Sequence, residues 1–422
     1  VIEKCTHAII NGKKEKLDAQ KKKTILKQNE KMANKALRVL ALAYKETSAS
    51  ENYDKTKEEK DLIFIGLTGM IDPPRPEVKE AIRKSKEAGI RTYVVTGDHG
   101  LTALAIAKEI GLATKDTQII TGDEFEKLKA SQLKKILGDK TKSIIFARTK
   151  PEHKLKIVDT LKKLGEIVAV TGDGVNDAPA LKRADIGIAM GIAGTDVSRE
   201  AANMVLADDS FSTIIIAIEE GRKIYTNLKK FVFYIFSCNI GELLTVFTGI
   251  ILGLPAPLTA VLILAVDLGT DVLPAIALGI DTEEKGIMQA SPRNQKEKIM
   301  NKEFVARFMF LGTIIGATVV SIFIWSLRTS GSYIKASTMA FVILVIIQMI
   351  NAFNARSRTK SVFKPEMKPN NWLIGAITIS VILTVLFVEV PFLQNFLGTT
   401  SLDFKEWLIV ATGGFTVLVA EE

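Results

Sequence analysis

Two groups of residues in this sequence could do chemistry. The first is Thr171-Gly-Asp-Gly-Val-Asn-Asp177, which follows the apolar run Ile167–Val170. Asp173 and Asp177 at a strand end, with glycines that let backbone approach a phosphate, suit a hard cation such as Mg2+ that bridges to phosphate oxygens. Two further elements precede it. Thr96-Gly97-Asp98 ends an earlier apolar run and offers a hydroxyl and backbone N–H groups. Lys154 opens a helical run after Phe146-Ala-Arg-Thr-Lys-Pro-Glu-His153 and offers a fixed positive charge for a developing phosphoryl charge. One Asp alone would be a polar turn, and one Lys alone a solvated surface group. The ordered set describes phosphoryl transfer.

The second group lies in an apolar setting, where carboxylates are costly and mark a substrate or ion pathway. Asn239 and Glu242 are three apart, and Asp267 and Asp271 are four apart with Thr270 beside them, so each pair shares a helix face. Gly269 and Pro274 bracket the second pair and are expected to unwind the helix, freeing carbonyls for a cation. A packed polar patch would explain one Asn or Thr. Three acids with amide and hydroxyl oxygens make a hard-cation site instead.

The elements that must position these groups follow from composition, which differs between the halves of the 422 residues. About the first 230 are charged and Lys-rich; the rest is dominated by apolar runs near the ~18–20 residues that span a bilayer. Short β-like runs occur at Leu62–Leu67, Thr92–Val95, Ser143–Ala147, Ile167–Val170, Ile186–Ala189 and Asn203–Leu206, with helical runs such as Glu77–Ala88 and Pro151–Leu164 between them. That alternation predicts a parallel, doubly wound sheet that binds ligands at its carboxyl edge. Gln28–Lys45 reads as a helix, and Glu46–Asp61 as a polar loop. Six spans are expected, at about 231–253, 258–280, 304–327, 337–354, 372–390 and 406–420. Arg293, Lys296, Lys298 and Lys302 follow the second span, and Arg356, Arg358, Lys360, Lys364 and Lys368 follow the fourth. The positive-inside rule puts both loops, and the soluble part, in the cytoplasm. The formal charge of +9 fits Lys-rich faces and such loops, and no aromatic-interleaved basic patch points to nucleic acid. Cys5 and Cys238 are far apart and suggest neither a disulfide nor a metal site.

Asp72-Pro-Pro-Arg75, Thr96-Gly-Asp98 and Thr171-Gly-Asp-Gly-Val-Asn-Asp177, in that order before a polytopic membrane part, closely resemble the P-type cation ATPases, type II branch. The resemblance covers essentially the whole chain. It implies the end of a nucleotide-binding domain at 1–60, a haloacid-dehalogenase-like α/β phosphorylation domain at 61–212, and an all-α membrane domain of six helices at 213–422. It also implies ATP and Mg2+ as cofactors and ATP-driven cation transport through an aspartyl phosphate. Arg38 would contact ATP phosphates, and Asp72, Arg75 and Arg148 would close the nucleotide over the site. Asp173 would hold Mg2+, Asn176 and Asp177 would support it, and Lys154 and Thr96 would contact the phosphoryl group, with Gly97 and Asp98 shaping dephosphorylation. Asn239, Glu242, Asp267, Thr270, Asp271 and Gln348 would bind the transported ion. Phosphoryl state would reach Glu242 along the helix from about Ser212 to Phe231. The partners would be ATP, the transported cations and the lipid bilayer; an accessory subunit is not indicated either way.

The family's phosphorylated aspartate lies in Asp-Lys-Thr-Gly-Thr, a string absent from these residues; Asp54-Lys55-Thr56-Lys57 lacks its glycine and second threonine. The expectation is therefore a C-terminal half cut from a longer protein. Asp-Leu-Gly-Thr-Asp at 267–271 resembles sodium/potassium pumps, and Asn-Ile-Gly-Glu at 239–242 resembles calcium pumps. Gln348 is shared with sodium pumps, which add an acid where Asn351 stands, so Ca2+ and Na+/K+ both stay open. A membrane-anchored phosphatase would need only one anchor, and a non-hydrolysing channel-like or regulatory subunit would not need Lys154 or Asp173.

Overall fold

The computed structural model describes residues 1–33, 35, 37–47, 59–71, 73–294, 296–356 and 368–421. Asp72 and the Asp54–Lys57 string lie outside them. The chain divides into two units, 1–217 with 288–292, and 218–287 with 293–422.

The first unit opens on a hairpin. Asn11 and Gly12, at φ 47° and 78°, connect β1 (Cys5–Ile10) to β2 (Lys13–Lys16). Two left-handed residues are what a tight turn between right-twisted strands requires. After α1 (Ala19–Ala33) come β3 (Arg38–Tyr44) and β4 (Leu62–Met70), giving a four-stranded sheet in the order β2-β1-β4-β3. Two expectations are corrected here. Gln28–Lys45 is not one helix: α1 ends at Ala33, and β3 pairs antiparallel with β4 from Arg38↔Met70 to Tyr44↔Ile63. Its Leu and Ala residues favour helix, but Val39, Ala41 and Ala43 alternate inward with Leu40, Leu42 and Tyr44 outward. Pairing with β4 overrode residue preference. Likewise Leu62–Met70 does not start the α/β alternation, because it lies between β1 and β3.

The alternation proper runs α2 (Glu77–Glu87), β5 (Val94–Val95), α3 (Gly100–Glu109), β6 (Gln118–Thr121), α4 (Gly122–Lys127), α5 (Ala130–Gly138), β7 (Ile144–Ala147) and α6 (Pro151–Lys163). It continues through β8 (Ala169–Gly172), α7 (Ala178–Arg183), β9 (Ile186–Met190), α8 (Asp196–Ala201) and β10 (Met204–Leu206). All pairings are parallel, as expected, but the strands form two sheets, β5-β7-β6 and β10-β9-β8, rather than one. Periodicity reports strand type and crossover, not which strands become neighbours. β5 and β8 are sheet edges, and they share one apolar cluster: Tyr93 and Val95 pack with Val168, Val170 and Phe146.

Start signals in the sequence fix the helices that face this cluster. Thr121 caps α4 in a reciprocal box with Glu124, and Pro151 occupies the first turn of α6. Phe125 on α4 is 1 % exposed and meets Phe146 edge-on at 5.8 Å, with His153 at 4.7 Å. Phe125→Ala is expected to destabilise this unit by about 3–5 kcal/mol. Denaturant unfolding followed by exchange of the β7 amides checks it; a loss under about 1 kcal/mol would mean the core does not close there.

The second unit is helical. It contains most of α9 (Phe211–Ile251), then α10 (Ala260–Ala265), a π turn (Val266–Asp271) and α11 (Val272–Gly279) in one stretch. α12 (Lys302–Ser330), α13 (Tyr333–Arg356), α14 (Asn371–Glu389), a short α15 (Pro391–Leu397) and α16 (Phe404–Glu421) follow. Five of these, α9, the 260–279 stretch, α12, α13 and α14, are long and apolar enough to cross a membrane among the described residues. α16 forms where the sixth span was expected, but its 18 residues include Lys405, Glu406 and Glu421, and it is not among the five. α13 is the central helix, with 83 % of its apolar window buried against 28 % for α14. α9 meets α12 through small residues: a Cβ on Gly241 would lie 2.5 Å from Ile315, and one on Gly312 2.5 Å from Ile240. Such close backbone approach is how membrane helices gain packing without a hydrophobic drive.

Candidate functional site

In the first unit the motif residues sit at the carboxyl ends of parallel strands. β5 runs into Thr96, whose N–H continues the ladder to Phe146 O at 2.9 Å. Thr96 Oγ1 accepts from Asp98 N at 3.0 Å, so hydroxyl and turn are held together. The turn after β7 is stitched to it: Arg148 N donates to Asp98 O, and Thr149 N and Oγ1 donate to Thr96 O, each at 3.0 Å. Arg148 has φ 51°, uncommon for a side chain of its size and a form of local strain found at functional sites. Its carbonyl needs Gly122 opposite, where a Cβ would come within 2.2 Å.

β8 delivers the other half. Lys154, on the first turn of α6, donates to Asp177 Oδ1 at 2.5 Å. Asp177 Oδ2 accepts from the N–H groups of Asp173 and Gly174, both at 3.3 Å. Asp177 is 5 % exposed, and it comes this close because residue 172 is glycine: a Cβ there would be 2.4 Å from Asp177 Cβ. Asp173 is held by its backbone, whose carbonyl accepts from Thr195 N at 2.9 Å and Ser198 Oγ at 3.0 Å, leaving its carboxylate exposed. Asp173 and Asn176 are exposed on the turn after β8, as are Gly97 and Asp98 on the turn after β5, while Lys154 pairs with the buried Asp177.

The described residues expected to contact nucleotide lie on separate elements. Arg38 begins β3 and is exposed, opposite Met70 in register. Arg75 donates to Asp208 O at 3.0 Å. Beside it, hydrogen bonds from Thr213 and the Ser210 N–H hold the Asp208 carboxyl below its ordinary value. The Ile192 and Ala193 N–H groups do the same for Asp209, which thereby fixes the turn after β9.

In the second unit the acids converge. Oxygens of Glu242, Asp267 and Asp271 all lie within 4.8 Å of one another. Glu242 and Asp271 are 6 % and 3 % exposed, and Asp267 is more open. Gln348 Nε2 donates to Glu242 Oε1 at 2.7 Å, and Tyr234 OH donates to Asp271 Oδ1 at 2.8 Å. Asn351 Nδ2 donates to Ser237 Oγ at 2.7 Å. These donors leave Asp271 Oδ2, Gln348 Oε1 and Asn351 Oδ1 buried without a hydrogen-bond partner. Unserved buried oxygens are costly, and a cation held by the carboxylates would satisfy them. Asn239 is exposed on α9, one turn before Glu242.

The segment at 266–271 is a π turn rather than the expected unwound stretch. Pro274 has no N–H and crowds the carbonyl four residues back, that of Thr270. That carbonyl accepts instead from Ser380 Oγ on α14 at 2.8 Å, which occupies one of its two lone pairs. The Thr270 hydroxyl donates to Val266 O at 3.0 Å and keeps its lone pairs. The π turn changes the angular spacing of Asp267 and Asp271 and brings both toward Glu242. Sequence reasoning missed Tyr234 as part of this site. The signal was its place eight residues before Glu242, on the stripe Tyr234, Cys238, Glu242.

Residues 255–422 match the family model described as "Cation transporting ATPase, C-terminus", and residues 1–77 match "P-type ATPase, cytoplasmic domain N". The chain is 43 % identical to "Calcium-transporting ATPase 1" of Bacillus cereus, across 100 % of its own length and 49 % of that protein. It is 44 % identical to "Calcium-transporting ATPase" of Bacillus subtilis, across 90 % of the chain and 42 % of the relative. "Calcium-transporting ATPase 2, endoplasmic reticulum-type" of Arabidopsis thaliana is 37 % identical, across 100 % and 47 %. The chain spans about half the length of these relatives. With both ends matched by family models and five membrane-capable helices, the chain belongs to the P-type cation-transporting ATPases as a multi-pass integral membrane protein.

Proposed function

We propose that the protein carrying this chain couples ATP hydrolysis, through a phosphorylated aspartate outside these 422 residues, to transport of Ca2+. The observation that supports the ion is the Glu242–Asp267–Asp271 cluster with its unserved oxygens. Ca2+ takes six to eight oxygens at about 2.3–2.6 Å, so ligands on opposite sides stand about 4.6–5.2 Å apart. A cluster contained within 4.8 Å suits that ion. Three relatives named for calcium transport agree with it.

At the soluble site, Lys154 places a positive charge, fixed by Asp177, where negative charge grows on the transferred phosphoryl group. The Thr96 hydroxyl, which the Asp98 N–H holds in place, and the Gly97 N–H orient its oxygens. Asp173, whose carboxylate is exposed and unclaimed by Lys154, is the residue that fits Mg2+, which would neutralise phosphate charge when bound. Arg38, Asp72, Arg75 and Arg148 hold the nucleotide. Asn176 supports the turn that carries Asp173 and Asp177. At the membrane site, Glu242, Asp267, Asp271, Gln348, Asn239 and the Thr270 hydroxyl bind the ion. The soluble domain faces the cytoplasm. α9, unbroken from Phe211 to Ile251, is the covalent route by which phosphoryl state alters the site.

The test is phosphoenzyme formation by the full-length protein in membranes, with radiolabelled ATP. Micromolar Ca2+ is expected to raise its level at least about tenfold over chelator, in the range of sensor sites. Formation driven by Na+ and discharged by K+ would overturn the ion assignment. No phosphoenzyme under any cation would overturn the transport reading.

A further inference from the structure

Beyond the cation cluster, the second unit holds another buried charged group. Asp281, two residues past α11, has a side chain with 0 % exposure, and so has Lys230 of α9. Lys230 Nζ donates to Asp281 Oδ2 at 3.0 Å and reaches Glu284 Oε1 at 3.2 Å. Arg356, the last residue of α13, donates from Nε at 3.0 Å and from its terminal nitrogen at 3.1 Å. Asn370, which caps α14 by accepting from Leu373 N, donates at 2.9 Å. Asn227 of α9 donates to the Asp281 carbonyl at 2.7 Å. Burial alone would raise the Asp281 carboxyl, but Arg356 and Lys230 outweigh it and hold the carboxyl below its ordinary value.

The geometry has a direction. Asn227, Lys230 and Tyr234 stand at i, i+3 and i+7 on α9, a single face that continues through Cys238 to Glu242. On the other side, Asp271 and Asp281 lie at the start and just past the end of α11. The face therefore ties α9 to one stretch of chain at two levels, Tyr234 to Asp271 within the cation cluster, and Lys230 with Asn227 to Asp281 beyond it. Near the cluster α9 is also held by Gln348 to Glu242, Asn351 to Ser237 and the close packing of Gly241 on α12, but these lie at or beyond Tyr234, so the level of Lys230 is where its other end is pinned. Two ties fix its register, and with it the height of Glu242 against Asp267 and Asp271.

We infer that Lys230 is a positioning residue for the cation site: by anchoring α9 to Asp281, it sets where Glu242 stands relative to Asp271. This rests on the cation-transport reading above. Arg356 and Asn370 come from other helices and hold Asp281 whether or not α9 is attached, so removing Lys230 loosens α9, leaving it the Asn227 bond, without displacing Asp281. Lys230→Met keeps the stem of the side chain and leaves no unpaired cation.

The experiment uses the full-length protein in membranes, titrating Ca2+ for phosphoenzyme formation and for equilibrium binding of radioactive Ca2+. Lys230→Met is expected to raise the half-saturating Ca2+ about tenfold in both assays, with the maximal phosphoenzyme level within about twofold of wild type. Lys230→Arg is expected to return half-saturation to within about threefold. Lys335→Met, which breaks the separate pair with Glu406, is expected to leave it unchanged. If Lys230→Met does not fold, Asn227→Leu removes the neutral part of the same tie without leaving a buried charge, and about a threefold shift is expected. Half-saturation within twofold of wild type in whichever of Lys230→Met and Asn227→Leu folds overturns the inference. So does a loss of maximal level with half-saturation unmoved. A wild-type protein that binds no Ca2+ sinks the transport reading itself, a result distinct from either.

Discussion

Asp271→Asn is expected to raise the Ca2+ concentration for half-maximal phosphoenzyme formation by at least about 100-fold, beyond the 10–100-fold typical of residues that only orient a ligand. The substitution keeps size and shape, so Tyr234 OH can still donate to the remaining carbonyl oxygen. It removes one of the three carboxylates of the cluster and presents an amide to the ion. Glu242→Gln should cost a comparable amount, because it removes charge from the carboxylate that Gln348 orients. Gln348→Leu should cost less, since its Oε1 would be a neutral ligand. The readout separates this from general damage. Phosphorylation in the reverse direction, from inorganic phosphate without Ca2+, should survive all three substitutions. Asp271→Asn with half-saturation within about threefold of wild type would remove the cluster from the transport path, since a lost charged ligand costs far more.

The local placement of the candidate residues was more legible in the sequence than the architecture around them. Thr96, Lys154, Asp173 and Asp177 are short-range signals, because each sits at the junction of an apolar run and a turn, and the runs were found to within two residues. The acids of the membrane part stood out for a similar reason, carboxylates in apolar helices. Long-range pairing left no comparable trace. β3 reads as helix because Leu and Ala dominate it, and only the inward Val39, Ala41 and Ala43 carry the strand period. That β4 joins β1 and β3, and that β5 and β8 end up as sheet edges, depends on partners tens of residues away. The π turn is a third case. Gly269 and Pro274 announce an irregularity, but whether the freed carbonyl stays open or meets Ser380 is decided by a residue about a hundred positions later. Lys230 and Asp281 were invisible for the opposite reason. One lysine among many, and one acid in a polar loop, acquire meaning only when both prove fully enclosed.

Lys154→Ala is expected to slow phosphoryl transfer from ATP by about 10²–10³-fold, the usual cost of removing one preorganised group that meets developing charge. Half-saturation by Ca2+ should stay put, since the cluster of Glu242, Asp267 and Asp271 is untouched. Lys154→Arg should rescue poorly. The lysine meets a single oxygen, Asp177 Oδ1, and a planar, forked guanidinium does not reproduce a compact ammonium at that point. Asp177→Asn tests the same ion pair from the other side. Its remaining oxygen can still accept from the Asp173 and Gly174 N–H groups, but its amide can no longer hold the ammonium as a carboxylate does. It should therefore lose much of the rate that Lys154→Ala loses, and the double variant should lose little more than the worse single one, because the two act as a unit. Rapid-quench measurement of phosphoenzyme formation at saturating Ca2+ provides all four rates. If the effects of the two single variants instead multiply, Asp177 acts independently of Lys154, and the ion pair is not what positions the charge.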